Sequence, residues 1–407
     1  MNTSSSIRQY AIVTGNYWAF TLTDGALRML VVLYFYQLNY TPLQIASLFL
    51  FYEFFGVVTN LLGGYFGARL GLNRTMNIGL FLQIIALLLL ALPAAWLTIP
   101  LVMMAQAISG IAKDLNKMSA KSSIKLLVSE NNTGQLFRWI ALLTGSKNAL
   151  KGVGFFLGGL LLSLFGFQKS MLIMMCVLLL VWTMSLFLLK RDLGKSKNKP
   201  KFTDLFSKSR QINLLSAARL CLFAARDVWF VVALPVFLTS QFQLSFWQTS
   251  GFLASWIIGY GAIQSLSPFV IGTKPGGKIA LLLAVILSVS TAILALSVSL
   301  QWAGIALLVV GLIIFGILFA LNSSVHSFLI VDYAKLDGVS LDVGFYYMAN
   351  AMGRLLGTLL SGWIYQQWSM ATCLWCATGL IVLASLFSIG LPKENDLLNH
   401  SEEKANE

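Results

Sequence analysis

Apolar stretches of membrane-crossing length follow one another along almost the whole chain. A spanning helix needs about 20 predominantly apolar residues, and we identify twelve segments of this kind. Short polar connections separate them, and the pattern therefore predicts an all-α integral membrane protein with twelve transmembrane helices. The segments lie near residues 10–36, 44–66, 75–96, 100–124, 136–163, 169–190, 211–239, 247–270, 278–298, 302–330, 340–366 and 370–390.

Lysines interrupt the fourth predicted helix in a regular way. The stretch 105–128 reads AQAISGIAKDLNKMSAKSSIKLLV, and Lys113, Lys117 and Lys121 recur in it at every fourth position. On an α-helix these positions span about 80° of arc, so their ammonium groups share one face. An ammonium near the bilayer centre costs at least ~2.5–3.5 kcal/mol unless it faces water or a partner. The row therefore indicates a water-filled path that suits an anion.

The composition agrees with a polytopic membrane protein, since 57% of the 407 residues are hydrophobic and only 11% are charged. The first apolar segment carries Asn16, Asp24 and Arg28 and has no small-residue cleavage site. We therefore expect a retained helix and not a signal peptide. All four cysteines fall within predicted spans, so no disulfide scaffold is expected.

Basic residues concentrate in alternate connections, namely those that follow the even-numbered predicted helices. Because Lys and Arg mark cytoplasmic loops, every even-numbered helix is predicted to end in the cytoplasm, with both termini there. The net charge of +13 is interpreted as this orientation signal together with contacts to lipid headgroups, and no nucleic-acid site is predicted.

The longest basic connection divides the chain into two groups of six predicted helices. We predict an N-terminal six-helix bundle at 1–189, a basic cytoplasmic linker at 190–211 and a C-terminal six-helix bundle at 212–391. The acidic segment 392–407 is predicted to be a disordered tail.

The two halves contain an internal repeat. Parallel repeats of six helices are typical of major-facilitator transporters, in which the substrate binds near mid-membrane between the halves. Helices 1, 4, 7 and 10 of such a fold line the cavity, and helices 5 and 11 flank it. The first-half positions are Gly110, Ile111, Leu115, Asn116, Lys151, Gly154 and Gly159, which reappear as Gly316, Ile317, Leu321, Asn322, Arg354, Gly357 and Gly362.

The connection after the second predicted helix, GYFGARLGLNR at 64–74, resembles the major-facilitator loop signature. That signature has Gly, three residues, Asp, a basic residue, any residue, Gly, any residue and two basic residues. Arg69 and Arg74 match it, whereas Ala68 stands in place of the acid and Asn73 replaces one base. The charge relay usually assigned to this loop therefore lacks two of its members.

Charged side chains interrupt several predicted helices at membrane depth. The cations exceed the acids by about four, and an anionic substrate would restore the balance, because each unpaired buried charge costs several kcal/mol. Arginine offers a fork that matches phosphate oxygens, and lysine acts as a mobile point charge. Lys121 is placed nearer the cytoplasmic rim. The cations are Arg28, Lys113, Lys117, Lys147, Lys151, Arg219, Arg226 and Arg354, and the acids are Asp24, Glu53, Asp114 and Asp227.

These residues give the predicted site. Asp24 and Arg28 stand four apart on one helix face and can pair, either as a gate or as part of the substrate contact. Glu53 is a candidate for a coupling proton or for a salt bridge to a neighbouring helix. We predict substrate binding by Arg28, Lys113, Lys117, Lys147, Lys151, Arg226, Arg354, Asn16, Tyr17 and Asn116, and coupling or gating by Asp24, Glu53, Asp114 and Asp227.

No catalytic residue, cofactor or metal site is predicted. The chain has only two histidines, His326 and His400, and the sequence contains neither a metal-ligand cluster nor a nucleophile–base arrangement. An embedded enzyme and a membrane scaffold without transport are the remaining classes, and neither accounts for a charged interior.

Four polar runs within apolar segments carry a resemblance to a known family, the ArsJ family of bacterial organoarsenical exporters, over roughly residues 8–390. The resemblance implies a major-facilitator protein of the bacterial inner membrane with 1-arseno-3-phosphoglycerate as cargo. It also implies a functional partnership with a glyceraldehyde-3-phosphate dehydrogenase, which makes this ester when arsenate replaces phosphate. The runs are VTGNYWAFTLTDGALRMLVV (13–32), SGIAKDLNKMSAKSSIKLLV (109–128), WIALLTGSKNALKG (139–152) and ARDVWFVVALPVFL (225–238).

Export and hydrolysis of that ester outside the cell would confer arsenate resistance. Its two anionic ends suggest two cationic clusters, one with Arg28, Lys113, Lys117 and Lys147 and the other with Arg226 and Arg354. The alternative is a transporter or exchanger of ordinary phosphorylated three-carbon acids such as 3-phosphoglycerate, for which the charge argument is the same. A monomer is expected, and the energy coupling stays open.

Overall fold

The computed structural model describes residues 3–40, 45, 48–128, 133–189, 193–196, 208–244, 246–272, 274–302 and 304–392, and every regular element in these ranges is helical. Much of the predicted basic linker and the tail from residue 393 lie outside them. A short 3₁₀ turn at Ala94–Trp96 precedes α4. The α-helices are α1 (Thr3–Gln37), α2 (Leu50–Leu70), α3 (Leu72–Leu90), α4 (Ile99–Leu127), α5 (Thr133–Leu188), α6 (Arg210–Phe230), α7 (Ala233–Phe242), α8 (Phe246–Ile271), α9 (Gly277–Ser299), α10 (Ile305–Tyr333), α11 (Val339–Gln367) and α12 (Met370–Ile389).

Two of these elements depart from a single straight span. The long helix α5 is broken at Gly166, where φ is 73° and ψ is 178°, a conformation that glycine adopts because it lacks a Cβ atom. The apolar stretch Arg210–Phe242 is instead divided between α6 and α7. Helix α5 therefore consists of two helical segments, whereas the single apolar stretch Arg210–Phe242 consists of two helices, α6 and α7.

Eight helical stretches within the described ranges are long and apolar enough to cross a membrane. The lysine-bearing helix α4, like α2 and α11, is not among them. The exposed surface agrees with a lipid environment: Phe187 is 88% exposed and Phe269 is 79% exposed. The protein is accordingly a multi-pass integral membrane protein whose charged helix is held by its neighbours.

The helices pack into two compact units. Unit 1 comprises Met1–Asn132, Ser146–Ser207 and Ala334–Met348. In it α4 packs against α1, α2 and α3. The apolar core around Phe35, Leu87 and Met171 includes Val102, Ala105 and Ala112 of α4.

Unit 2 comprises Thr133–Gly145, Lys208–Tyr333 and Ala349–Glu407. Here α12 packs against α6 and α9, and α10 packs against α8 and α9. An aromatic cluster fills its centre: the Trp229 and Phe315 rings meet edge to face at 4.9 Å, and the Phe315 and Phe319 rings stack at 5.7 Å. Geometries of this kind stabilise a core beyond area burial alone.

Both units contain the same close helix crossing at glycine. A Cβ atom added to Gly154 of α5 would lie 2.7 Å from the carbonyl oxygen of Leu22 on α1. A Cβ atom added to Gly357 of α11 would lie 2.6 Å from that of Ala224 on α6. The repeat in the sequence pairs these two glycines, and they have the same packing role in their units.

Candidate functional site

The centre of the charged region in unit 1 is Asp114, whose side chain is 1% exposed. Lys117 Nζ lies 2.5 Å from its Oδ1 atom and Lys113 Nζ lies 3.5 Å from its Oδ2 atom. The side chains of Lys117 and Lys113 are 12% and 18% exposed. One buried carboxylate is therefore shared by two cations, and the cluster of Lys113, Asp114 and Lys117, named the lysine cluster below, has an excess of one positive charge.

Tyr52 on α2 joins this cluster to α1. The Lys113 ammonium and the Arg28 guanidinium each lie 3.9 Å from the centroid of its ring. Its hydroxyl donates to the two carboxylate oxygens of Asp24, at 2.7 and 3.0 Å. Because a cation over an aromatic ring gains roughly 0.5–2 kcal/mol, the buried tyrosine stabilises both cations without removing their charge. Sequence analysis did not identify this residue.

The ion pair of Arg28 joins two helices. Arg28 Nη2 lies 2.8 Å from Glu53 Oε1, and Asp24 binds the Tyr52 hydroxyl. The salt bridge of Arg28 is therefore with a carboxylate of α2, whereas Asp24, one turn earlier on α1, binds the tyrosine hydroxyl. Of the two alternatives for Glu53, the structure shows the salt bridge to a neighbouring helix.

Lys121 is packed inside the protein. It is 3% exposed, and its ammonium hydrogen-bonds the Tyr347 hydroxyl. The Nζ atoms of Lys117 and Lys121 lie 4.9 and 4.8 Å from the centroid of the Tyr347 ring. Tyr347 belongs to the part of α11 that lies in unit 1, and its ring covers the last two lysines of the row.

The three uncharged residues of the predicted substrate site lie within the helix packing. Asn16 donates to Ser185 Oγ on α5 at 2.8 Å. Asn116 donates to the Ala112 carbonyl at 2.9 Å and packs against Gly79 of α3. The Tyr17 hydroxyl is buried and has no hydrogen-bond partner among the described residues. Of these three, two have a buried polar atom without a hydrogen-bond partner among the described residues: Tyr17 through its hydroxyl and Asn116 through its Oδ1 atom.

Lys147 and Lys151 are half-buried on the first part of α5. The backbone of Lys151 lies against Gly25 of α1, where an added Cβ atom would be 2.9 Å from the Lys151 carbonyl oxygen. Lys151 Nζ lies 5.9 Å from the Phe155 ring centroid. These lysines therefore lie beside the helix that carries Asp24 and Arg28.

Unit 2 contains a second cluster of two cations around one carboxylate, built on Asp227, which is 0% exposed. Arg226 Nη2 lies 2.5 Å from its Oδ1 atom, and Arg354 Nε lies 3.3 Å from its Oδ2 atom. The guanidinium of Arg226 also lies 4.8 Å from the Phe223 ring centroid. Arg226, Asp227 and Arg354 form what we name the arginine cluster, and the structure brings together the two arginines that the sequence assigned to one substrate end.

Arg219 has a different environment from the other arginines of unit 2. It is 3% exposed and donates to Asn350 Oδ1 at 2.8 Å and to the Ser323 hydroxyl at 3.0 Å. Gln264 donates to the same hydroxyl at 3.2 Å. This buried network ties α6 to α8, α10 and α11, which accords with a packing role for Arg219.

Comparison with known proteins identifies the family to which this fold belongs. The family model of the Major Facilitator Superfamily matches residues 13–329. The chain belongs to the Major Facilitator Superfamily. The protein is therefore a membrane transporter and not an enzyme, and no curated protein sequence matches it.

Solved structures of this superfamily share the fold. The transporter FucP in its outward conformation is similar with a TM-score of 0.76 at 13% identity, over 94% of this chain and 98% of FucP. The human organic anion transporter MFSD10 (TETRAN) has a TM-score of 0.74 at 16% identity, over 95% and 100%. The proton:xylose symporter XylE bound to 6-bromo-6-deoxy-D-glucose has 0.73 at 14%, over 95% and 96%. At sequence identities this low, the similarity is evidence for a shared fold alone.

Proposed function

We propose that this transporter exports a phosphorylated anionic organoarsenical, 1-arseno-3-phosphoglycerate, across the bacterial inner membrane by alternating access and so confers arsenate resistance. The observation that carries the proposal is the pair of buried aspartates, Asp114 and Asp227, each shared by two cations. Each cluster thus places two cations around one carboxylate, an arrangement that supports binding of an anionic group of a substrate.

The composition of the two clusters supports a cargo with two anionic groups. The arginine cluster offers guanidinium forks, which match the oxygens of phosphate or arsenate in pairs. The lysine cluster offers ammonium groups as point charges, which suit an anion of less defined geometry. 1-Arseno-3-phosphoglycerate has a phosphate at one end and an arsenate ester at the other, and each unit holds one cluster.

We propose twelve spans with both termini in the cytoplasm. This count takes α5 as two spans divided at Gly166 and takes α6 with α7 as one. Arg69, Arg74 and Lys335 then lie on the cytoplasmic side, where basic residues accumulate. The membrane potential, negative inside, favours the exit of an anion.

The proposed cargo has to be made by a dehydrogenase inside the cell. A glyceraldehyde-3-phosphate dehydrogenase supplies the ester in the cytoplasm, and the exporter acts as a monomer that removes it.

The rival function is transport or exchange of 3-phosphoglycerate, whose carboxylate and phosphate would engage the same two clusters.

Everted membrane vesicles, whose cytoplasmic face is outside, separate these functions. The complete mixture contains dehydrogenase, glyceraldehyde 3-phosphate, oxidised nicotinamide cofactor and labelled arsenate. We expect label to accumulate only with the complete mixture, because the ester hydrolyses inside and leaves arsenate trapped. Accumulation of labelled 3-phosphoglycerate at an equal rate would establish the rival, and accumulation of arsenate without dehydrogenase would show that free arsenate is the cargo.

A further inference from the structure

A groove of about 630 Å³ lies on the outer surface of unit 1, between α3 and the second part of α5. It falls within the ~300–1,000 Å³ typical of small-molecule sites. Its walls are apolar side chains that remain exposed in the protein, including Ile78 at 42%, Phe81 at 45% and Phe187 at 88%. On a membrane-spanning protein such walls face acyl chains.

One end of this groove is polar and contains hydrogen-bonded side chains. Arg74, in the first turn of α3, is exposed and lines it together with Asn73 and Asn77. The Asn77 side-chain oxygen accepts a hydrogen bond of 2.6 Å from Ser185 Oγ, and its carbonyl accepts one of 3.1 Å from Trp182 Nε1. A site for acyl chains alone would not require a cation and hydrogen-bonded polar groups at this end.

The apolar part of the groove is also structured. The Trp182 ring stacks on Phe81 with centroids 5.3 Å apart and an interplanar angle of 29°. Trp182 thereby contacts the polar end through its Nε1 atom and the apolar wall through its ring. Tryptophan of this kind is typical of the level at which headgroups meet hydrocarbon.

We propose that this groove binds one anionic glycerophospholipid of the cytoplasmic leaflet. The headgroup phosphate lies at Arg74, at the α3 end where the helix dipole favours negative charge. The acyl chains lie along Ile78, Phe81 and Phe187. The charge of Arg74 selects an anionic headgroup, the side we assign to the cytoplasm sets the leaflet, and the apolar walls distinguish a lipid from a free phosphate ester.

The test uses the full-length protein, delipidated in detergent, with native mass spectrometry of added phosphatidylglycerol, phosphatidylcholine or sn-glycerol 1-phosphate. We expect retained phosphatidylglycerol, and we expect Arg74→Gln to weaken its retention about tenfold through loss of a charge-assisted contact. Ile78→Trp, which fills the groove without changing the charge, should also weaken it.

The matched control is Arg69→Gln. Arg69 is an exposed arginine of the same connection that hydrogen-bonds Tyr65 at 2.8 Å and does not line the groove, so its replacement should leave retention unchanged. Equal effects of the two arginine variants would overturn the proposal. So would equal retention of phosphatidylcholine, or binding of sn-glycerol 1-phosphate as tight as that of the lipid.

Discussion

The hydroxyl of Tyr52 donates a hydrogen bond of 2.7 Å to the carboxylate of Asp24. Asp24 is 4% exposed and Tyr52 is fully buried. The same ring lies 3.9 Å from the Arg28 guanidinium and from the Lys113 ammonium. One side chain therefore orders a carboxylate and two cations, and its hydroxyl and its ring have separable roles.

Tyr52→Phe and Tyr52→Leu separate those roles. Phenylalanine keeps the ring over both cations but leaves Asp24 without this donor, which we expect to cost ~1–3 kcal/mol of stability. Leucine also removes the cation–ring contacts and should lower the melting temperature further. Thermal unfolding of purified protein in detergent provides the measurement. Equal melting temperatures for the two variants would show that the ring contributes nothing to holding the cations.

Sequence alone predicted the helical class and the charged helices because apolar length and lysine spacing report directly on one helix. Lys113 and Lys117 were singled out by their spacing, and Arg226 and Arg354 as charges within apolar segments. The partners were missed because they lie on other helices. Nothing in the spacing of α2 shows that Tyr52 lies over Arg28, and the shared role of Asp114 depends on which rotamers the packed lysines adopt.

For the same reason, the salt bridge between Arg28 and Glu53 was not predicted. Spacing of four residues permits a contact within a helix, but it does not report a carboxylate on α2. The burial of Lys121 was not predicted, because it depends on the tyrosine of α11 that covers it. Local periodicity predicts a face of a helix, and only tertiary packing determines what meets that face.

Asp227 and Arg226 are expected to be energetically coupled. Asp227→Asn leaves the guanidinium of Arg226 without its carboxylate, and removal of one partner of a buried pair costs ~3–5 kcal/mol. We expect a value near the lower limit because Arg226 is 16% exposed. The double variant Arg226→Gln/Asp227→Asn should recover part of the loss, with a coupling of about 0.5–3 kcal/mol in thermal or denaturant unfolding. Strict additivity of the two single changes would contradict the described pair.

Lys113→Ala and Arg354→Ala should each abolish arsenate resistance while the protein still reaches the membrane. Each change removes one cation from a cluster that we propose binds the substrate. Growth on arsenate measures resistance, and immunoblotting of membranes measures the amount of protein. Lys169→Ala, at an exposed lysine of α5, is the matched control and should be silent. Wild-type resistance in the first two variants would remove those residues from the site.

Substitutions at three glycines test whether close backbone approach is required at the repeated helix crossing. Gly154→Ala and Gly357→Ala place a Cβ atom 2.7 and 2.6 Å from backbone carbonyl oxygens, and overpacking of this kind typically costs ~1–3 kcal/mol. Gly159→Ala meets no atom closer than 3.9 Å and should be neutral or slightly stabilising, since alanine favours a helix. Melting temperatures of the three variants give the comparison, and a loss in Gly159→Ala as large as in the other two would show that close approach is not the cause.

The most direct measurement is efflux of labelled arsenate from cells with and without the glyceraldehyde-3-phosphate dehydrogenase. Cells that produce the wild-type transporter should lose label rapidly only when the dehydrogenase is present, and cells with Lys113→Ala or Arg354→Ala should retain it. Equal efflux in the absence of the enzyme, or unchanged efflux in both variants, would contradict a cation-lined path for this doubly anionic cargo.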